Sequence, residues 1–317
     1  MRVEADTLAV GWEQALEAAA RAVDAVRTEH LQNGVIERER RLLTEERRDV
    51  GVLLRSLASS RGDSLDGWLP PHLVTPHVLG LPAGTEVVVF DLDGVLTDSD
   101  RVHAAAWAEA LDPVLMEASH ELGWAFVPFD ADREYRLYFD GRARLEGIEL
   151  FLAGRGLRLA DERMRGIARR KAEVLAHRLR DRSPVALPGA HRYVHAAAHA
   201  GLGKAVVSAS ESTLAMLELA RLDHLIDVVV DATAIRARGL RSRPAPDTLL
   251  DACAQFGVAP THAVSLTHSG AGVAAARAAG ATVRGIAAGQ QAERLRGFGA
   301  EVILPSLLAL LDPPLRP

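Results

Sequence analysis

Over its first sixty residues the chain sets apolar positions into charged sequence at a helical period. Leu8 to Leu31 is rich in Ala, Glu and Arg, and Asn33-Gly34 then offers a turn. Ile36, Leu43, Val50 and Leu57 follow at a spacing of seven, widened by Leu53 and Leu54, with the charged run ERERRLLTEERRD among them. A heptad of apolar positions predicts a helical hairpin over residues 1–60 with a coiled-coil-like seam. That seam either packs on the rest of the chain or pairs two copies into a homodimer. Residues 61–84 hold Pro70, Pro71, Pro76 and Pro82 with several glycines, which predicts a linker or an irregular strap.

From Val87 the pattern changes. Short apolar runs recur at Val87–Phe90, Lys204–Ser208, Val228–Val230, Ala263–Leu266, Thr282–Ile286 and Glu301–Leu304, with helical stretches between them. Continuous apolar runs bounded by turn residues predict strands buried on both faces. Their alternation with helices predicts a doubly wound parallel α/β sheet. Residues from about 105 to 185 break the alternation: they are mostly helical and carry aromatic-rich pieces, GWAFVPFD and EYRLYFDG. The expected organisation is an α/β core over 85–104 and 186–317, with a helical insertion over 105–185 after the first strand.

Composition changes this picture little. The 317 residues are 48% hydrophobic and 25% charged, enough for two or three domains with a substantial core. The net charge is −5, and the basic residues of the hairpin alternate with Glu, so neither nucleic acid nor an anionic membrane is an expected partner. The N-terminal MRVEADTLAV carries acids where a signal peptide would carry bases, and no apolar run approaches a membrane span. A cytoplasmic protein is expected. Cys253 is the sole cysteine, so no internal disulfide forms, and its helical setting predicts a small buried hydrophobe.

The chemistry concentrates in VVVFDLDGVLTDSD, Val87 to Asp100. A buried strand runs straight into Asp91-x-Asp93, and Gly94 follows. Ligands of open α/β sheets bind at such strand ends. Two carboxylates two residues apart on a turn suit phosphoryl transfer. One can attack phosphorus, the other can shuttle a proton, and both can help hold a divalent metal.

The block Phe90-Asp91-Leu92-Asp93-Gly94-Val95-Leu96-Thr97-Asp98 resembles the first motif of the haloacid dehalogenase-like superfamily. His103 and Trp107 follow at the distance seen in its β-phosphoglucomutase-like branch. The resemblance covers about residues 85 to 317. It implies a helical cap that closes over the phosphate and selects the substrate. It makes Asp91 the nucleophile that becomes aspartyl-phosphate, and Asp93 the general acid/base, with His103 beside them and Trp107 in register toward the cap. It implies Mg²⁺, or Mn²⁺ or another divalent ion, held by the Asp91 carboxylate and the Asp93 carbonyl. DGRARLEGIELFLAGRGL resembles the branch's segment around a substrate-contacting arginine, at the position of Arg144.

Three further segments match the superfamily in part. Ser208-Ala209 ends a strand and precedes backbone N–H groups that open a helix, a phosphate cradle that matches the second motif. Glu211 stands where the phosphoglucomutases have a lysine, and an acid near bound phosphate would be repulsive. Ser242-Arg243-Pro244-Ala245-Pro246-Asp247 matches the third motif with Arg243 in place of its lysine, so charge is kept and geometry altered. SLTHSGAGVAAARAAG has the pattern of the fourth, but Thr267-His268 replaces the acidic pair that completes the metal site. Mg²⁺ prefers oxygen ligands, whereas imidazole suits softer ions, so weak Mg²⁺ binding, a different metal held in part by His268, or an inactive relative is expected.

Two other patterns carry less. Gly270-Ala271-Gly272-Val273-Ala274-Ala275 fits a GxGxxA dinucleotide pattern, yet the next strand ends without an acid for a ribose. His191, His195 and His199 share one helix face, opposite Tyr193, Val194, Ala197 and Ala198, and read as solvated. The implied activity is hydrolysis of a small phosphorylated metabolite, a sugar phosphate above all. A phosphomutase and a phospholigand-binding pseudoenzyme are the alternatives. A salt bridge from Arg243 or His268 onto Asp91 in the metal position would favour the last.

Overall fold

A computed structural model describes residues 74–181 and 184–311 of the chain. The hairpin expected over 1–60 lies outside the described residues. Six parallel strands form one sheet: β1 (Val87–Asp91), β2 (Gly203–Val207), β3 (Val228–Val230), β4 (Ala263–Thr267), β5 (Thr282–Ile286) and β6 (Val302–Leu304), in the order β3-β2-β1-β4-β5-β6. β3 and β5 have their expected bounds, β1, β4 and β6 differ from the apolar runs by one residue at one end, and β2 is shifted by one residue at both.

The sheet is covered on both sides, and its central strands β1 and β4 are buried at every position. In β1 alternate residues serve opposite faces: Val88 and Phe90 join one core, Val87 and Val89 the other. After β1 the chain forms α1 (Asp100–Leu122), α2 (Arg144–Gly154) and α3 (Asp161–Asp181). Then α4 (Ala190–His199), α5 (Thr213–Leu219), α6 (Ala232–Arg238), α7 (Asp247–Phe256), α8 (Gly270–Ala279), α9 (Gly289–Gly297) and α10 (Leu308–Leu311) connect or follow the remaining strands. Tyr193 and Val194 of α4, Met216 and Leu217 of α5, and Leu310 and Leu311 of α10 fill the first core. Leu249, Ala252 and Cys253 of α7, with Val273 and Ala276 of α8, fill the second.

Residues 74–84 are irregular and lie on the first core as a strap, with Val74, Leu79 and Leu81 buried. The buried Tyr193 hydroxyl fastens the strap by donating to the Leu79 carbonyl at 3.1 Å. Cys253 is buried and unpaired. Its thiol titrates higher than usual because burial disfavours the thiolate.

The segment between β1 and α4 builds a hydrophobic cluster of its own. Trp107, Leu111 and Leu115 of α1 meet Ile148, Phe151 and Leu152 of α2 and Ile167 and Ala168 of α3. Phe139, from a π-helical turn at Tyr135–Phe139, stacks on Trp107 with ring centroids 4.1 Å apart. α3 serves two cores: Ile167 and Ala168 belong to this cluster, whereas Val174, Leu175 and Leu179 pack on the sheet's first face. One stiff helix therefore fixes the insertion against the sheet.

Candidate active site

Strand order places the chemistry. The chain leaves β1 for β2 and β3 on one side, then returns to β4 on the other, so the sheet reverses direction beside β1. Open α/β sheets bind ligands outside the strand ends at such a switch point. Asp91 ends β1 and pairs in register with Val207, whose successor is Ser208. Phe90 pairs with Leu266, whose successors are Thr267 and His268. The first, second and fourth sequence motifs thus meet at neighbouring strand ends.

Asp91 is 5% exposed. One carboxylate oxygen, Oδ1, accepts from Arg243 Nη1. The other, Oδ2, accepts from Thr267 Oγ1 at 2.6 Å and more weakly from Ser269 Oγ at 3.4 Å. Arg243 is itself buried and gives its second nitrogen to the Val207 carbonyl at 3.1 Å. Burial pushes the Asp91 carboxyl up, but the Arg243 guanidinium and the His268 ring outweigh it and hold the group below the usual carboxylate range. Asp91 is an anion at neutral pH.

Asp93 has partners of its own. Its Oδ1 accepts from Ser99 Oγ, and His103 Nε2 lies 3.8 Å away. His103 is buried, and its Nδ1 meets Lys171 Nζ at 2.9 Å. With Nδ1 accepting from the lysine, the ring carries its proton on Nε2, the side that faces Asp93. Burial first, and the neighbouring Lys171 charge second, lower the His103 pKa to about 4, so the imidazole is neutral. Lys171, 3% exposed and 5.4 Å from the Trp107 ring, is pushed down to about 7 by burial and then by Arg144.

His268 sits between two carboxylates. Its Nε2 is 3.3 Å from Asp140 Oδ1, and its Nδ1 is 3.9 Å from Asp91 Oδ2. Burial opposes the charged ring, but Asp140 and Asp91 overcome this and raise its pKa to about 9. Asp140, buried and close to other acids, titrates above its normal value. Gly94 makes the packing feasible: its φ is +71°, and a Cβ there would lie 2.5 Å from the His268 ring.

One pocket gathers almost every expected residue. Asp91, Asp93, His103, Trp107, Arg144, Ser208, Ala209, Arg243 and His268 all line it. Trp107 is mainly a packing residue, 3% exposed and stacked on Phe139. Lys171, Asp140, Tyr135 and Arg142 line the same pocket and were not singled out from sequence. Lys171 left one readable signal, a lysine on the apolar stripe Ile167, Ala168, Val174 and Leu175 of α3. Asp140 left none beyond preceding a glycine.

Two expectations change, those for Glu211 and His191. Glu211 does not line this pocket; it pairs with Arg236 and lies 3.6 Å from Arg144, so its charge is spent on arginines rather than on a phosphate. The glycines of the GxGxxA pattern serve packing. A Cβ on Gly272 would collide with Thr267 Oγ1, and one on Gly270 with the Phe298 ring. His191 is half-buried and bonded to the Ala220 carbonyl at 3.0 Å, while His195 and His199 are exposed.

Asp91, Asp93 and His268, the residues expected at a divalent ion, do not fit Mg²⁺. Both Asp91 oxygens accept from protein donors, and the positions that end and follow β4 offer a hydroxyl and a ring nitrogen in place of carboxylates. Mg²⁺ demands a nearly octahedral set of oxygens. Among the described residues no group of three or more His, Cys, Asp or Glu side chains could hold a metal ion.

The haloacid dehalogenase-like hydrolase family matches residues 85–280. A β-phosphoglucomutase of Mycobacterium tuberculosis is 38% identical over 259 residues, covering 77% of this chain and 99% of that protein. A fructose-1-phosphate phosphatase of Escherichia coli is 29% identical, over 61% of this chain and 92% of its own. The crystal structure of a hydrolase from Pseudomonas syringae superposes with a TM-score of 0.59 at 22% identity, over 72% of this chain and 97% of that one. The chain belongs to the haloacid dehalogenase-like hydrolase family. Among the described residues no helix is long and apolar enough to cross a membrane.

Proposed function

We propose that the protein hydrolyses the phosphate ester of a small sugar through an aspartyl-phosphate on Asp91. The observation that carries this reading is the convergence of the buried Asp91 anion, the Asp93 carboxyl, the Ser208 hydroxyl and the Arg243 guanidinium on one pocket. In the first step an Asp91 oxygen attacks phosphorus and the bond to the ester oxygen breaks. Asp93 gives its proton to that oxygen, and the sugar leaves as an alcohol. In the second step water attacks the phosphorus of the aspartyl-phosphate and gives a proton to Asp93. The bond to Asp91 breaks, and inorganic phosphate departs. Arg243 transfers its hydrogen bond from Asp91 to a phosphoryl oxygen as the first step proceeds, while Ser208 and the Ala209 N–H hold the others.

The insertion over 105–185 acts as the cap, with Arg144 as its contact to the sugar. The neutral His103, backed by Lys171, presents Nε2–H to Asp93 and steadies it in the state that has just lost its proton. The two relatives named for phosphorylated sugars support the substrate class.

Two specific observations favour other readings. The 38% identity with a β-phosphoglucomutase supports a mutase, in which a sugar hydroxyl replaces water in the second step. The Arg243 bridge onto Asp91 supports a phospholigand-binding protein without turnover. A panel including fructose 1-phosphate and β-glucose 1-phosphate separates the three, with phosphate release and glucose 6-phosphate formation read side by side. Phosphate release lost in Asp91→Asn is the expected result. Isomerised sugar phosphate without phosphate release would establish the mutase. No turnover by folded protein, with sugar phosphates still bound, would establish the binding protein.

A further inference from the structure

Both oxygens of the Asp91 carboxylate are committed to side chains of the protein. Arg243 holds one and Thr267 the other, and the two donors come from the loop between α6 and α7 and from the end of β4. A hard divalent cation would have to share an oxygen with one of them, beside the Arg243 charge. The space beside Oδ2 is filled as well. The His268 ring lies over Gly94, where no Cβ could fit, and is flanked by Asp91 and Asp140. Its backbone is pinned too, because Gln291 Nε2 donates to the His268 carbonyl at 2.8 Å. Gln291 belongs to α9, so the His268 backbone is held from a second element.

Charge points the same way. An acidic pair after β4 would add two carboxylates beside Asp91, and a dianionic phosphate could approach them only with a cation between. Thr267-His268 adds none. The positive charge that meets a phosphate is instead permanent: Arg142, Arg144 and Arg243 all line the pocket, and an arginine does not lose its proton in a protein.

We infer that the Asp91 site receives its phosphate monoester without a divalent cation, with Thr267 and His268 occupying the metal's place and arginines supplying the charge. The inference rests on the proposed hydrolysis only for its catalytic consequence. His268 is then a positioning residue: it orients the Asp91 oxygens from one side and ties the insertion to the sheet through Asp140 from the other. The substrate is the free phosphate monoester, not its magnesium complex.

The test uses the full chain freed of metal by EDTA and titrated with Mn²⁺ while free Mn²⁺ is followed by electron paramagnetic resonance. No Mn²⁺ uptake that depends on Asp91 is expected in the wild type. The double variant Thr267→Glu, His268→Asp restores the acidic pair and should bind Mn²⁺ about 100-fold more tightly. Wild-type Mn²⁺ binding that Asp91→Asn abolishes would overturn the inference, whether or not the double variant folds. The catalytic consequence is read separately. Phosphate release unaltered by EDTA supports it, and release that EDTA stops and Mg²⁺ restores overturns it while leaving the hydrolase reading intact. Absent turnover under every condition would sink the hydrolase reading alone, because the Mn²⁺ titration still decides the cation question.

Discussion

Arg243 and Asp91 are 7% and 5% exposed, and each is the other's main charge partner. Arg243→Met should therefore destabilise the fold by about 3–5 kcal/mol, since a buried anion loses its main partner. Arg243→Lys keeps the charge and loses the second bond to the Val207 carbonyl, at about 1 kcal/mol. Urea unfolding of the two variants checks the difference, and equal midpoints would refute it. Lys171 gives the opposite case, a buried cation without a carboxylate at hydrogen-bond distance in its pocket. It is faced by His103 and the Trp107 ring, and more distantly by Arg144, Asp93 and Glu211. Its pKa falls from 10.5 to about 7, so between those values the unfolded chain binds more protons here than the folded one. Stability contributed at this site rises with pH across that window. Lys171→Met should remove this rise, seen as a smaller gain in urea midpoint between pH 7 and about 9. An unchanged slope would mean the lysine is solvated. At this scale sequence reading reached Asp91, Asp93, Ser208 and Arg243, because each follows a strand or sits in a turn with local punctuation. It missed Lys171 and Asp140, whose roles exist only once the insertion folds back over β1.

Among the elements, the strands were legible to within a residue at each end because a parallel strand covered on both faces reads as a nearly continuous apolar run. The insertion was legible as helical but not in detail. The π-helical turn Tyr135–Phe139 has no periodicity to announce it in five residues; tertiary packing of Phe139 on Trp107 and Phe151 selects it. Phe151 is fully buried at the centre of this cluster and meets Phe129, Phe139 and Tyr138 edge-on or tilted. Phe151→Ala should cost about 3–5 kcal/mol through the cavity it leaves. Because the cluster is separate from the two sheet cores, hydrogen exchange should quicken in α2 and the first half of α3 while β1 and β4 stay protected. Equal loss of protection in all four would show that insertion and sheet unfold as one unit.

On the scale of the whole molecule, the strand order could not be read from periodicity, which is blind to neighbours. It is set by crossovers, and the reversal beside β1 is what brings three distant motifs within reach of one phosphate. The insertion meets this strand-end surface largely through polar pairs. Asp140 reaches His268 at 3.3 Å, and Arg144 reaches Glu211 at 3.6 Å. Contacts of that kind exchange readily with water and with a bound anion, unlike a packed apolar seam. A phosphate bound by Ser208 and Arg243 from the sheet and by Arg142 and Arg144 from the insertion would add charge-assisted bonds across the same gap. Saturating inorganic phosphate should therefore slow amide exchange over residues 140–144 in the wild-type chain. Arg243→Lys should weaken that protection, because a lysine gives one point contact where the arginine gives a planar pair. Protection that is unchanged by phosphate would mean that the insertion and the sheet do not share the anion, and the cap assignment of Arg144 would fall with it.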